Sequence, residues 1–378
     1  MRYECTACDR TYDIGAPRWR CDCGGPLDLS SPAVTRDLID TGGTGVWRYR
    51  RLLPPVDPGR PISLGEPTTP LIDAGNGALL KLDYLLPSGS YKDRGATVMV
   101  SRLTALGIGD IVLDSSGNAG AAVSTYSARA GISCQVFVPA GNSASKLAQI
   151  AAVGGRLRPV HGSRADATLA AIAASDGSFY GSHNWSADFL AGLSTMAFEI
   201  WEQLGGRTPS SVLAPCGNGG VILGLYRGFE ALYRGGLIDR IPPLVAVQSA
   251  AFSGVAKAVD SGSAEPSAFS HGTTIAEGIA CELPVRGRQL VRAIVASGGT
   301  AVTVTDDDIR DAALRLASCG CYVEPTGAVG YAGLLRLSRG PRADLLGTST
   351  VAVLTGSGLK AGRKIADLRA ADWWPAEA

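Results

Sequence analysis

From about Leu79 onward the chain alternates short apolar, β-branched runs with Ala-rich stretches whose apolar positions recur at helical spacing. Residues 111–114 predict a buried strand, 122–130 a helix and 134–139 the next strand. The pattern continues with a helix over 143–153, a strand over 156–160, a helix over 164–174, a strand over 178–181 and a long helix over 190–204. It restarts at strand 212–215, followed by a glycine loop, a helix running to Tyr233 and strand 244–247. Strand 301–304, helices 306–318 and 326–337 and strand 350–354 complete it. Such alternation implies parallel sheets covered by helices. Its two runs predict an α/β protein with two open, mostly parallel twisted sheets and a cleft between them. The expected organisation is a small N-terminal segment over 1–30 and a Pro/Gly/Arg-rich linker plus the first part of the larger body over 31–82. A smaller α/β domain over 83–205 and a larger one over 206–370 follow.

Composition narrows the class. Hydrophobic residues make up 46% of 378, which excludes global disorder, and no apolar run approaches the roughly 20 residues of a membrane helix. Lys+Arg number 35 against 34 Asp+Glu, so the +1 net charge argues against nucleic acid or an anionic membrane as partner and leaves a small molecule. The 49 glycines follow no collagen period, which favours a loop-rich enzyme scaffold. The opening MRYECTACDR has no apolar core, so no secretory leader is expected. Nine cysteines, an odd number, suit a reducing cytoplasm better than a disulfide framework.

Four of those cysteines stand apart. Cys5-x-x-Cys8 is followed, after twelve intervening residues, by Cys21-x-Cys23 and two glycines. Two such knuckles can place four thiolates around one tetrahedral structural Zn²⁺, a zinc-ribbon-like appendage, with free thiols as the competing reading. Cys216, Cys281, Cys319 and Cys321 read as small buried side chains. Of three histidines, only His183 falls near the expected cleft. Trp373–Trp374 reads as a docking contact or a frayed tail.

Ligands of parallel α/β sheets sit where loops open at the strands' carboxyl ends, and four segments compete for that place. In Ser90-Tyr91-Lys92-Asp93-Arg94-Gly95, Ser90 and Asp93 match a capping box that starts a helix near Tyr91. A lysine in that first turn sits against the helix field, which lowers its pKa and suits a neutral nucleophile; an ordinary surface lysine is the alternative. Ser115-Ser116-Gly117-Asn118-Ala119-Gly120 could hold a carboxylate at a helix start, or be plain turn chemistry. Pro215-Cys216-Gly217-Asn218-Gly219-Gly220-Val221 offers consecutive amides to a phosphate, without the Walker lysine or a dinucleotide fingerprint. A hydroxyl in Leu354-Thr355-Gly356-Ser357-Gly358-Leu359-Lys360, after the last strand, could meet a ring nitrogen. Together they would suit a phosphorylated aromatic aldehyde held by Lys92.

In this order the segments resemble the fold-type-II pyridoxal-phosphate enzymes of the tryptophan synthase β superfamily, most closely the threonine synthase-like group. The likeness runs through 90–95, 114–131, 136–149 and 350–360, and part of that group also carries the cysteine ribbon. The resemblance implies that Lys92 carries the cofactor aldehyde as an imine and shuttles protons. It places Asn118 at the cofactor's 3′ oxygen, Gly217, Asn218, Gly219, Gly220 and Val221 at its phosphate, and Thr355 at its ring nitrogen. Ser115, Ser116, Gly117 and the Ala119 position would meet the substrate, and a homodimer is expected. Two departures bear on the substrate. Ala119 stands where the group has a Thr that helps bind the phosphate of O-phosphohomoserine, and segment 182–195 lacks the group's Arg and Lys. Loop 273–280 is closer to threonine dehydratases. The implied function is elimination or replacement on O-phosphohomoserine or a related amino acid. A threonine, serine or diamino-acid ammonia-lyase is the alternative, and a silent cofactor- and zinc-binding protein the reading from another class.

Overall fold

The computed structural model describes residues 1–57, 60–75, 77–141 and 144–361. Trp373–Trp374, the end of the 206–370 segment and the first residue of the helix expected from 143 lie outside these residues. The chain opens with β1 (Tyr3–Cys5), β2 (Thr11–Tyr12) and β3 (Leu27–Leu29), an antiparallel sheet of order β2-β1-β3. After two 3₁₀ turns come the hairpin β4 (Leu71–Asp73) and β5 (Ala78–Lys81), then α1 (Lys92–Ala105). There follow β6 (Asp110–Leu113), α2 (Asn118–Ala130), β7 (Ser133–Pro139), α3 (Ala144–Ala152), β8 (Arg156–Val160), α4 (Arg164–Ala173) and β9 (Phe179–Tyr180). Next are α5 (Ala187–Gln203), β10 (Val212–Pro215), α6 (Gly220–Arg234), β11 (Leu244–Ser249), α7 (Gly254–Ser261) and α8 (Gly287–Ala296). The last are β12 (Thr300–Val304), α9 (Asp306–Ser318), α10 (Pro325–Leu337) and β13 (Thr350–Val353).

The fold is α/β. Four strands in the order β8-β7-β6-β9 pair in parallel throughout. Six strands in the order β12-β11-β10-β13-β5-β4 are parallel except for the β4–β5 hairpin, so strands from before residue 82 complete the sheet built by the later ones. The strands of the six-stranded sheet's centre, β10, β11 and β13, are buried along their whole length, as strands covered on both faces must be.

The two sheets meet through α5. It begins three residues before the sequence pattern suggests, because the Ser186 hydroxyl accepts from the Phe189 N–H and caps it there. Its residues are buried almost end to end, since α1 covers one side and α6 the other. The approach is close enough to need glycine: a Cβ on Gly192 would lie 2.1 Å from the Arg94 carbonyl oxygen. The helices α7 and α8 and the strands of the N-terminal sheet were not expected from the sequence, although α8 buries Leu290, Val291 and Ile294 on one face. No helix among the described residues is long and apolar enough to cross a membrane.

Candidate active site

Lys92 is the first residue of α1, and the turn before it is tied to the last strand's loop. The Tyr91 N–H donates to the Thr355 carbonyl at 3.0 Å, and Ser90 bridges Gly356. The expected capping box is not formed. Asp93 accepts from the Ser88 N–H at 2.6 Å and from the Ser88 hydroxyl, while Ser90 Oγ accepts from the Lys92 N–H at 3.1 Å. Gly89 (φ 80°) turns the chain so that Ser88, not Ser90, lies over the first helical turn. Burial, opposed by the Ser88 bonds, pushes Asp93 up to about 7.

The Lys92 amine is lowered to about 7, first by burial and then by the charge of Arg164. Desolvation, rather than the helix field expected from the sequence, is the main cause. Nζ sits 4.8 Å from the Tyr91 ring centroid and 5.9 Å from that of Phe189. In the cofactor-free chain, reductive methylation of Lys92 is therefore expected to rise between pH 6 and 8 and flatten above. A free lysine would keep gaining reactivity to about pH 10.4, and peptide mass mapping distinguishes the two.

The 115–120 loop leaves β6 and enters α2 at Asn118. Asp114 is held by the Tyr180 hydroxyl at 2.9 Å and Thr168 Oγ1 at 2.6 Å, which fixes the strand end ahead of the buried Ser115 and Ser116. Gly117 is the N-cap of α2, and Ala119 is buried in its first turn. Asn118 Nδ2 donates to Glu324 Oε1 at 2.7 Å, and the Glu324 N–H donates to the Gly356 carbonyl. Glu324 thus joins the Asn118 loop to the Thr355 loop. Sequence reasoning missed it, because a Glu before Pro325 reads only as a helix start.

The glycine loop leaves β10 and enters α6. Gly219 has φ 77°, open to glycine, and a Cβ on Gly217 would lie 2.8 Å from Ile279 Cα. The loop is thus pressed against the turn Glu277–Ile279. Val221 is buried, while Asn218 and Gly220 remain half-buried. Neither α2 nor α6 carries a side-chain cap, whereas α4 and α9 have complete capping boxes. Uncapped first-turn amides are available to an anion.

Two further polar atoms lie unpaired here. Thr355 Oγ1 and His183 Nδ1 are buried and have no hydrogen-bond partner. Burial, with the charges of Lys92 and Arg164, holds the His183 pKa well below its usual value, so the ring is neutral. It stands edge-on to Phe189 at 5.9 Å. Arg164, at the start of α4, supplies a cation within electrostatic reach of Lys92 and His183 that no motif announced. The structure thus ties the turn before Lys92 to Thr355 through Tyr91, and Asn118 to the same loop through Glu324 and Gly356, with Gly117 and the glycine loop at two open helix starts.

The four N-terminal cysteines converge separately. Their Sγ atoms all lie within 4.8 Å of one another, with Cys5–Cys23 at 3.5 Å, Cys8–Cys23 at 3.6 Å and Cys8–Cys21 at 3.7 Å. Backbone amides of Ala7, Cys23 and Gly25 point at the sulfurs. None of the nine cysteines forms a disulfide; Cys216 and Cys321 are buried, but Cys281 is half-buried and Cys319 exposed, contrary to expectation.

Comparison with known proteins places these features in a wider set. Residues 62–356 match the family described as pyridoxal-phosphate dependent enzyme. The chain is 33% identical over 377 residues to the threonine synthase of Methanocaldococcus jannaschii, covering 95% of this chain and 93% of that one. It is 36% identical over 323 residues to the threonine synthase of Mycobacterium leprae, covering 82% and 87%. Among solved structures, the processed form of threonine deaminase isoform 2 from Solanum lycopersicum aligns with a TM-score of 0.68 at 20% identity, covering 94% of this chain and 95% of that one. A fungal L-serine ammonia-lyase from Rhizomucor miehei gives 0.69 at 22%, covering 80% and 98%; both likenesses speak to the fold alone.

Proposed function

The chain belongs to the family of pyridoxal-phosphate dependent enzymes, as a member of the lyase type, and from this we propose that it performs a threonine synthase-like elimination or replacement on a small amino acid. The observation that carries the site assignment is an amine lowered to about 7, an Asn amide and an unpaired buried hydroxyl, from Lys92, Asn118 and Thr355, on segments tied together by the Tyr91–Thr355, Asn118–Glu324 and Glu324–Gly356 hydrogen bonds. These residues fit pyridoxal phosphate, as do the Gly217–Val221 amides at the open start of α6. Bound there, the cofactor would supply an electron sink for the substrate's Cα.

The residues' own work follows from their chemistry. Lys92, neutral near pH 7, is the covalent attachment point and then takes and returns the Cα proton. Glu324 accepts one N–H of Asn118 and leaves the other for a bound cofactor, whose 3′ oxygen Asn118 would hold. Thr355 offers a hydroxyl, not a carboxylate, to the ring nitrogen, which leaves the ring less fully charged and favours elimination over transamination. Gly217, Asn218, Gly219, Gly220 and Val221 hold the phosphate, and Ser115, Ser116 and Gly117 the substrate carboxylate, beside Ala119.

O-phosphohomoserine or a related substrate is the first reading of the leaving group, supported by identity to threonine synthases across nearly the whole chain. An ammonia-lyase is the second, supported by Ala119 and by Phe189, an apolar wall 5.9 Å from Lys92. Incubation separates them. Phosphate release with threonine formation supports the first; keto acid plus ammonia from threonine, serine or a diamino acid supports the second.

Zinc is proposed at Cys5, Cys8, Cys21 and Cys23. A tetrahedral site with Zn–S near 2.3 Å needs sulfur–sulfur edges of about 3.8 Å, close to the spacing seen. One zinc per chain is expected by metal analysis, and Cys21→Ser, which removes the buried ligand, is expected to lose it and to lower thermal stability. A homodimer is the assembly proposed, read by light scattering.

A further inference from the structure

Three contacts from the cysteine-bearing sheet land on one ten-residue segment, Tyr180 to Phe189. The Tyr3 hydroxyl donates to Asp188 Oδ2 at 3.0 Å, inside the first turn of α5. The Trp19 ring, two residues before Cys21, packs edge-on to Tyr180 at 4.8 Å and to Trp185 at 5.4 Å. The buried Arg286 binds both sides at once. Its Nη2 donates to the Leu27 carbonyl of β3 and to the Trp185 carbonyl, each at 2.6 Å, and its Nε to the Asn184 carbonyl at 3.1 Å.

That segment forms one wall of the candidate site. Between the two tryptophan contacts stands His183, and at its end Phe189, whose rings face each other and, for Phe189, the Lys92 amine. Phe189 also has little freedom to move: a Cβ on Gly95 of α1 would lie 2.3 Å from its ring. Tyr180 in turn holds Asp114, immediately before Ser115 and Ser116. A displacement of Trp19 therefore reaches the His183–Phe189 wall on one side and the serine loop on the other.

We propose that the cysteine-bearing sheet is a positioning element of the active site. Through Tyr3, Trp19 and Leu27 it sets the His183–Phe189 wall facing Lys92, so that metal in the cysteine cluster is felt at the cofactor. This goes beyond a ribbon that merely stabilises the N-terminus, and it rests on the cofactor and zinc sites proposed above. Tyr3 and Trp19 are positioning residues; neither touches Lys92. The metal acts through backbone geometry, since Trp19 lies in the loop that Cys21 anchors and Tyr3 in the strand that ends at Cys5.

The test uses the full-length, cofactor-loaded protein with its zinc in place, after chelation, and after zinc is returned. Two readouts are followed: amide exchange over residues 180–189, and the visible circular dichroism of the cofactor band at constant absorbance. Chelation and Trp19→Ala are each expected to speed exchange in 180–189 at least about tenfold and to reduce the ellipticity at least about twofold. Zinc readdition and Trp19→Phe are expected to restore both. If Trp19→Ala does not fold, Tyr3→Phe, which removes one hydroxyl, decides by the same readouts. Loosening confined to residues 1–30, with exchange in 180–189 and ellipticity unchanged, overturns the proposal. If the wild-type chain takes up no cofactor at all, the proposed function falls, while exchange over 180–189 still decides the role of the sheet.

Discussion

Replacing Lys92 with alanine is expected to remove the cofactor's imine absorbance band and to lower turnover of any accepted amino acid by at least about 10³-fold, with far-ultraviolet circular dichroism unchanged. Among the lysines whose side chains are described, the choice rests on what each amine already does. Lys81 uses all three N–H bonds on Thr69, Glu199 and Gln203 inside the core. Lys360 donates to the Ser88 carbonyl at 3.0 Å, and Lys257 lies over the Phe269 ring. Among the described residues Lys92 meets aromatic faces and no hydrogen-bond acceptor, so its lone pair is free once the proton is lost, and burial brings that loss to about pH 7. Lys92→Arg is expected to be as inactive as Lys92→Ala, because a guanidinium stays charged and cannot form the imine. Lys360→Ala serves as the contrast: a retained band there, with a lost band in Lys92→Ala, assigns the attachment point. A persistent band in Lys92→Ala would move it elsewhere.

Much of this was legible in the sequence because it is carried by local pattern. Strands 111–114, 134–139, 156–160 and 212–215 declared themselves as short apolar or extended runs alternating with helical stretches, and the structure places them within a residue of those bounds. The two α/β sheets follow from that rhythm. What stayed hidden depends on tertiary approach. Glu324 gains its meaning only when α10 brings it to Asn118, over 200 residues away, and Arg164 only when α4 carries its charge towards Lys92. The mistaken capping box has the same origin. Ser90 and Asp93 have the right spacing, but Gly89 turns Ser88 into the place and the local rule yields to the fold.

Arg94→Met is expected to destabilise the protein by about 3–5 kcal/mol, seen as a lower denaturant midpoint, and this is the largest stability effect foreseen for a single polar side chain. Arg94 sits two residues after Lys92, fully buried, and donates to both carboxylate oxygens of Asp83 and both of Glu199, with Thr69 and Thr195 closing its remaining contacts. Lys81 meets the same Glu199 at 2.7 Å, so two cations and two carboxylates form a neutral set between β5, α1 and α5. Burial alone would push Asp83 up, but the Arg94 guanidinium outweighs it and holds the carboxyl below its usual range. Removing Arg94 leaves two anions facing one lysine with no water to compensate, which is why the cost exceeds that of an exposed pair. Arg288→Ala, which breaks an ion pair with Glu265 that is 70% and 54% exposed, is expected to change stability by less than about 1 kcal/mol. Arg94→Lys is expected to recover little, since one ammonium cannot span two carboxylates in a fixed fork. The double variant Arg94→Met/Glu199→Met restores charge balance by leaving Lys81 with Asp83. Its cost is therefore expected to fall short of the sum of the two single variants by about 1–3 kcal/mol, the signature of a coupled buried network. Strict additivity in that cycle would mean that Arg94 contributes by packing its stem rather than by pairing charge.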